Sequence, residues 1–163
     1  MRDLTAKLAS TSRVEMTELV MPSDANVLGT AFGGRVMQWT DLAASMAAMR
    51  HARMPVVTAS IDELAFLSPI RVGEIAVLRA QVNAVFGSSM EVEVAVSAES
   101  PAAGEKRPCC RAFLTFVALG PDGRPAKAPL LLTETGEEER RAREAERRRE
   151  ERLARRRRDT PLP

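Results

Sequence analysis

Tyrosine is absent from the 163 residues, and histidine and tryptophan occur once each. A single imidazole, His51, leaves little room for chemistry that sets histidine beside a nucleophile, and there is no G-x-S-x-G elbow to carry a Ser–His–Asp site. The two cysteines, Cys109 and Cys110, are adjacent. Neighbouring residues of a strand point to opposite faces, so no disulfide between them is expected, and neither has a partner at metal-ligand spacing. No metal site is therefore expected, and a reduced, cytoplasmic setting fits. No apolar run is long enough to cross a membrane, so no membrane insertion is expected, and the charged stretch ahead of Val20 does not read as a signal peptide.

What is present is unevenly placed. The formal net charge is +2, yet residues 137–158 hold eleven Arg and seven Glu, a local net of +4, which leaves the remainder at −2. The length suits one domain with a real core. Its organising stretch is GGRVMQWTDLAASMAAMR (33–50), read as a helix entered through a glycine pair. Apolar and small residues lie on nearly every face, the pattern of a helix packed inside other structure. One acid, Asp41, sits in its middle, where it can cap nothing and is costly if buried without a partner or a task. A structural Asp41 would bond a polar neighbour such as Thr40 or Ser45.

Around this helix the pattern is β. Residues 1–12 carry no periodicity and are expected to be a loose end. RVEMTELV (13–20) alternates as a strand, with Val14, Met16 and Leu19 inward. MPSDANVLGTAFGG is too punctuated for regular structure and delivers the chain to the helix. Strands are then expected at 56–66, 75–86, 90–100 and 111–119, separated by turns at SPIRVGE, GSS and PAAGEKRP. MEVEVAVSAES is the cleanest of them, with Met90, Val92, Val94 and Val96 on one face and Glu91, Glu93 and Ala95 on the other. A strand, a long helix and four antiparallel strands make an α+β arrangement in which about five strands wrap one helix. The opposite sheet face then needs cover or must be polar, and the edge strands need a partner, so a homodimer at least is expected.

The segment 131–163 is different material, set apart from a domain over 13–130. Its Glu-to-Arg pairs at i,i+4 (Glu137/Arg141, Glu139/Arg143, Glu144/Arg148, Glu151/Arg155) support a helix, but Leu153 is its one large apolar residue after Thr135 and before Leu162. It reads as a solvated helix or a disordered tail. A nucleic-acid contact through Arg155–Arg158 is disfavoured, because interspersed Glu cancels the field and no aromatic residue interleaves for base stacking.

MPSDANVLGTAFGGRVMQWTD, VVTASIDELAFLSPIRVGE and RAFLTFVALGPDGRP together resemble the hotdog-fold acyl-CoA thioesterases over about residues 13–130. The resemblance implies the hotdog fold, hydrolysis of fatty acyl-CoA to fatty acid and CoA, and Asp41 as general base on water or as nucleophile. It implies that Asn26, in the DAN motif, acts across a dimer interface in a site shared between subunits, with a hexamer of three dimers as the assembly. Gly33 and Gly34 would let the thioester approach the helix N-terminus, where a backbone amide near Gly34 can bind an oxyanion. Phe32 stands where some relatives carry histidine, so no histidine-dependent step is expected. Arg71, Ser88 and Ser89 are candidate contacts for CoA, and no cofactor beyond the CoA of the substrate is implied.

Each of these residues also has a plain structural use. Asn26 suits a turn, Gly33 and Gly34 suit close packing at a helix entry, Ser88 and Ser89 suit a hairpin, and Arg71 suits a solvated surface. His51 reads as a cation at a helix C-terminus. The alternative function is a non-catalytic acyl-CoA binding or sensing module on the same fold.

Overall fold

Alternating Met-Glu-Val-Glu-Val at residues 90–94 makes a strand with two incompatible faces, and the chain builds a layer on each. The computed structural model describes residues 4–159. In chain order it contains β1 (Lys7–Leu8), β2 (Val14–Leu19), α1 (Gly33–Ala52), β3 (Val56–Phe66), β4 (Ile75–Phe86), β5 (Ser89–Glu99), β6 (Lys106–Ala118), β7 (Leu131–Leu132) and α2 (Gly136–Asp159). Five strands form one antiparallel sheet in the order β2-β4-β5-β6-β3, while β1 and β7 pair in parallel as a small separate sheet. The expected α+β hotdog arrangement is present, and β3 and β4 have the boundaries read from the sequence.

α1 lies on the apolar face. Ala43, Ala44, Ala47 and Ala48 are wholly buried, and these small side chains let the helix backbone settle close to Leu78, Met90, Val92 and Leu114 of the sheet. Each large apolar side chain buried there contributes about 1.5–3 kcal/mol. The helix is not covered all round, however. Met37, Leu42, Met46 and Met49 are exposed at helical spacing and form an open apolar stripe. One sheet can cover only one side of a cylinder, and nothing among the described residues lies over the other.

The sheet's second face is covered by α2, which corrects the reading of 131–163 as solvated or disordered. The helix does carry the expected Glu137–Arg141, Glu139–Arg143 and Glu144–Arg148 pairs. It is seated by charge, though, not by an apolar stripe. Arg148 pairs with buried Glu91 at 2.7 Å, Arg152 with Asp62 at 2.6 Å, and Arg13 with Glu138 at 3.1 Å. Arg148 also stacks 3.7 Å from the Phe113 ring centroid. Glu91 and Glu93 are thus buried under basic side chains, not bathed in solvent. Buried carboxylates of this kind are tolerable only when paired.

Smaller departures have local causes. From Lys7 onward the expected loose end is structured: Lys7 and Leu8 pair with Leu131 and Leu132, and the Val82 amide donates to buried Ser12 Oγ at 3.0 Å. Leu19 is exposed because Val14, Met16 and Glu18 hold the inward phase of β2. The last strand begins at Lys106, ahead of the expected Arg111, because a bulge between its Cys110 and Pro108 pairings absorbs Cys109. Both cysteines are free and buried, and both border the same cavity of about 100 Å³ beside Gly33 and Phe66, so the bulge overrides the expected opposition of their side chains. Burial pushes the Cys110 thiol up to about 11, well away from a thiolate at neutral pH.

His51 is a further correction. It is wholly buried at the end of α1, donates from Nε2 to the Pro129 carbonyl at 2.9 Å, and finds no partner for Nδ1 among the described residues. Burial lowers its pKa more than the Pro129 carbonyl raises it, and Lys7 lowers it further, so the ring is a neutral core group and not a capping cation. Among the described residues no helix is long and apolar enough to cross a membrane.

Candidate functional site

Asp41 lies at the edge of the open stripe of α1 and is partly exposed. Its Oδ1 accepts a hydrogen bond from Thr58 Oγ1 of β3 at 2.7 Å, and among the described residues no cation pairs with it. Thr40 and Ser45 are not its partners. Thr40 Oγ1 donates to the Val36 carbonyl and Ser45 Oγ to that of Leu42, each within the helix. Thr58 was not singled out in the sequence, where it is one polar residue of a β-branched run. The register of β3 is what turns its hydroxyl toward the helix, and that register slips between Thr58 and Ser60.

At the N-terminus of α1, Phe32 is the N-cap and supplies no side-chain capping bond. The first amides of a helix are donors without intrahelical acceptors, so an uncapped end offers them to a ligand. A Cβ at Gly33 would meet the Phe66 ring at an ordinary 3.6 Å, and one at Gly34 would meet the exposed Phe32 ring at 3.3 Å. Close packing within the chain therefore does not demand both glycines. In front of Gly34 is a basin of about 410 Å³ bordered by Asp24, Phe32, Arg35 and Gln38. Asp24 and Arg35 close its rim through a 2.9 Å ion pair.

Asn26 is in the loop that leads into this end. Its Oδ1 accepts from the Leu28 amide at 2.9 Å and from the Thr30 amide and hydroxyl at 3.3 and 3.2 Å. The side chain does build its own turn, and with the oxygen committed, the amide NH2 is what Asn26 can offer a ligand. Arg71 is brought to the same loop by a bridge between Thr30 and Arg71, and its side chain is exposed. Glu74 fixes that turn by accepting from the Arg71 amide at 2.7 Å while paired with Arg107 at 2.6 Å. The Arg107 contact is the main reason the Glu74 pKa lies below its ordinary value.

These groups do not converge on one point within a chain. Gly34 and Asp41 are on the same side of α1 but two helical turns apart, about 10 Å along the axis. Ser88 and Ser89 are further away. They occupy the β4–β5 hairpin, at the opposite end of β4 from Arg71, a strand length of roughly 36 Å. That hairpin is at the level of Val57 and Thr58, two strands over, since Ser89 and Val57 both align with Val117. Ser89 Oγ has only a 3.4 Å contact with the Phe86 carbonyl.

The thioesterase superfamily model matches residues 28–105. The acyl-CoA thioester hydrolase YkhA of Bacillus subtilis is 43% identical over 127 residues, covering 78% of this chain and 74% of that protein. Mouse acyl-coenzyme A thioesterase 11 is 42% identical over 138 residues, but the chain spans only 23% of its length. An apo-hexameric acyl-CoA thioesterase is similar in structure at a TM-score of 0.89 and 39% identity, covering 93% of this chain and 97% of that one. An acyl-CoA hydrolase from Staphylococcus aureus, solved with butyryl coenzyme A and coenzyme A, superposes at 0.87 with 37% identity over 93% and 92% of the two chains. That hydrolase has been studied as Asn-to-Ala, Asp-to-Ala and Thr-to-Ala variants, the Asp 15 residues after the Asn and the Thr 17 after the Asp. Asn26, Asp41 and Thr58 have the same two spacings. Sheet, helix, loop and sequence agree: the chain belongs to the hotdog-fold acyl-CoA thioesterases, enzymes that hydrolyse thioesters.

Proposed function

We propose that this chain hydrolyses acyl-CoA to the free acid and CoA, fatty acyl-CoA included, with Asp41 as the group that activates water. The observation that carries the reading is a carboxylate with no cationic partner among the described residues, on the open side of a helix, held by one hydroxyl donor at 2.7 Å. Such a carboxylate accepts the water proton as oxygen adds to the thioester carbon. The resulting oxyanion needs a donor, and the uncapped amides at Gly33 and Gly34 are preorganised for it. The C–S bond then breaks, and the proton held by Asp41 passes to the departing CoA sulfur. Direct attack by the carboxylate would instead expel the CoA thiolate and leave a mixed anhydride; water opening it at the Asp41 carbonyl would place solvent oxygen in Asp41, and opening at the acyl carbonyl would place it in the released acid.

Because about 10 Å separates Asp41 from Gly34 in one chain, the reading requires two chains. A two-fold dimer through the open stripe of α1 and the free edge of β3 would bring the helix N-terminus and Asn26 of one subunit to the Asp41 of the other. Burial of Met37, Met46 and Val57, all exposed in the single chain, favours that interface. Assembly of such dimers into a hexamer would match the hexameric thioesterase neighbour. On this reading Phe32 and Gly33 would border the acyl thioester, Asn26 NH2 would steady the water, and Arg71 of one subunit and Ser88 and Ser89 of the other would be the candidate contacts for the CoA moiety. The cytosolic acyl coenzyme A thioester hydrolases of rat, mouse and human are 34–35% identical to this chain, which supports a cytoplasmic setting.

The test is thiol release from acyl-CoAs running from acetyl to palmitoyl, with Asp41→Ala alongside. The proposal expects turnover by the native chain and a loss of about 100-fold or more in the variant. A variant within about threefold of the native rate would overturn the assignment of Asp41. Absence of turnover at every chain length, with CoA esters still bound, would make the chain a binding module.

A further inference from the structure

The Arg-rich helix α2 reaches the one strand on which the Asp41 contact depends. β3 is an edge strand, paired among the described residues with β6 alone, and its register slips twice, between Thr58 and Ser60 and between Ile61 and Glu63. Ala59 and Asp62 are the residues left without a partner in the ladder. A bulge re-aims the side chains around it, and a one-residue shift of register turns every following side chain to the other face. Whether Thr58 faces Asp41 therefore depends on where the bulges sit. An edge strand paired on one side has little of its own to hold them there.

Asp62 sits in the second of these bulges. It is almost wholly buried, at 4% side-chain exposure, under the second face of the sheet, and Arg152 of α2 is itself only 10% exposed. Three donors converge on its carboxylate. Ser60 Oγ donates to Oδ1 at 2.8 Å, Thr115 Oγ1 of β6 to Oδ2 at 2.7 Å, and Arg152 Nη1 to Oδ2 at 2.6 Å. One bond ties the segment between the two bulges to itself, one ties it to β6, and one ties it to α2. We infer that the Asp62–Arg152 pair is a positioning pair for hydrolysis, pinning the bulged segment of β3 so that Thr58 keeps its hydroxyl on Asp41 from the opposite side of the sheet. This rests on the function proposed above and gives part of the charged C-terminal segment a role in it.

The experiment compares Arg152→Met with Arg148→Met. Arg148 seats the same helix through Glu91 of β5, and among the described residues its ion pairs go to Glu91 and Glu144 and not to β3. kcat and KM are measured for each, and amide hydrogen exchange is followed over residues 57–62. A positioning role predicts that Arg152→Met lowers kcat roughly three- to tenfold with KM little changed, and speeds exchange in that segment roughly tenfold, while Arg148→Met does neither. Added to Thr58→Val, Arg152→Met should bring no further loss of kcat, because it acts through Thr58. Native kcat and native exchange in Arg152→Met would overturn the inference, as would equal acceleration of β3 exchange by both variants or multiplying effects with Thr58→Val. If Arg152→Met does not fold, Arg152→Lys keeps the charge but loses the guanidinium geometry and is read by the same criteria. Absence of turnover in the native chain would refute the hydrolase reading, while the exchange comparison would still decide the clamp.

Discussion

Thr58→Val is the sharpest probe of the bond between β3 and Asp41. Valine keeps the β-branched shape that suits a strand and removes only the hydroxyl that donates to Asp41 Oδ1 at 2.7 Å. A hydrogen bond to a charged acceptor contributes about 1.5–3 kcal/mol when nothing replaces it. Thr58 is exposed, so water can take up part of the vacancy, and about 1–2 kcal/mol is the loss to expect. If the bond holds the carboxylate in its reactive orientation, the loss appears as roughly a 5- to 30-fold fall in kcat. Stability should stay within about 0.5 kcal/mol, since a partly solvated contact on an edge strand is removed and no cavity is made. Thiol release from a saturating acyl-CoA and a thermal melt read the two quantities separately. A kcat within twofold of the native value would show that Thr58 does not orient the carboxylate. An unchanged kcat with a melting point lowered by many degrees would make the bond structural.

Three further outcomes follow from the geometry. Burial holds the folded-state pKa of His51 below 6.5, so well above that value both folded and unfolded chains carry it neutral and the stability contribution is complete; as pH falls through about 6.5 the unfolded chain takes up the proton first, and stability falls until the folded pKa is passed. Melting points between pH 7.5 and 5 should show that decline, and His51→Asn, which keeps a donor for Pro129, should flatten it; an unchanged slope would place the titration elsewhere. The Glu74 pKa is depressed chiefly by Arg107, so its contribution is present above about 4.5 and is lost as pH falls through the lower folded value; Arg107→Met should shrink the melting-point difference between pH 7 and pH 3.5. Ala47 is wholly buried where α1 meets the sheet, so Ala47→Leu should destabilise by about 1–3 kcal/mol in a denaturant titration, and a neutral result would mean the helix can lift from the sheet.

The strands were legible because their constraint is local. β3 and β4 match the expected boundaries, and β5 differs from its expected span by one residue at each end, since period-two alternation and turn residues act within a few positions. Asp41 also stood out from the sequence alone, as one acid in a helix of small and apolar residues. Its partner did not, because Thr58 lies on a different element and points at α1 through a bulge that no pattern announces. The glycine pair and Asn26 were legible as a motif, but their distance from Asp41 depends on the axial rise of the helix and bears on the number of subunits a site would need.

Sequence therefore determined the central helix, the five strands of the main sheet, its apolar face and the acid at the centre of the proposed site, all properties of neighbouring residues. Tertiary structure decided the rest. It turned a segment with almost no apolar stripe into a seated helix, because Glu91, Glu93 and Asp62 on the sheet's second face needed cations and Arg141, Arg148 and Arg152 could supply them. It made His51 a buried neutral group, because Pro129 comes back over the end of α1 some 78 residues later. It brought both cysteines to one cavity through a single bulge. Each of these outcomes depends on a partner distant in the chain, and charge complementarity between distant segments leaves no periodic trace in either of them.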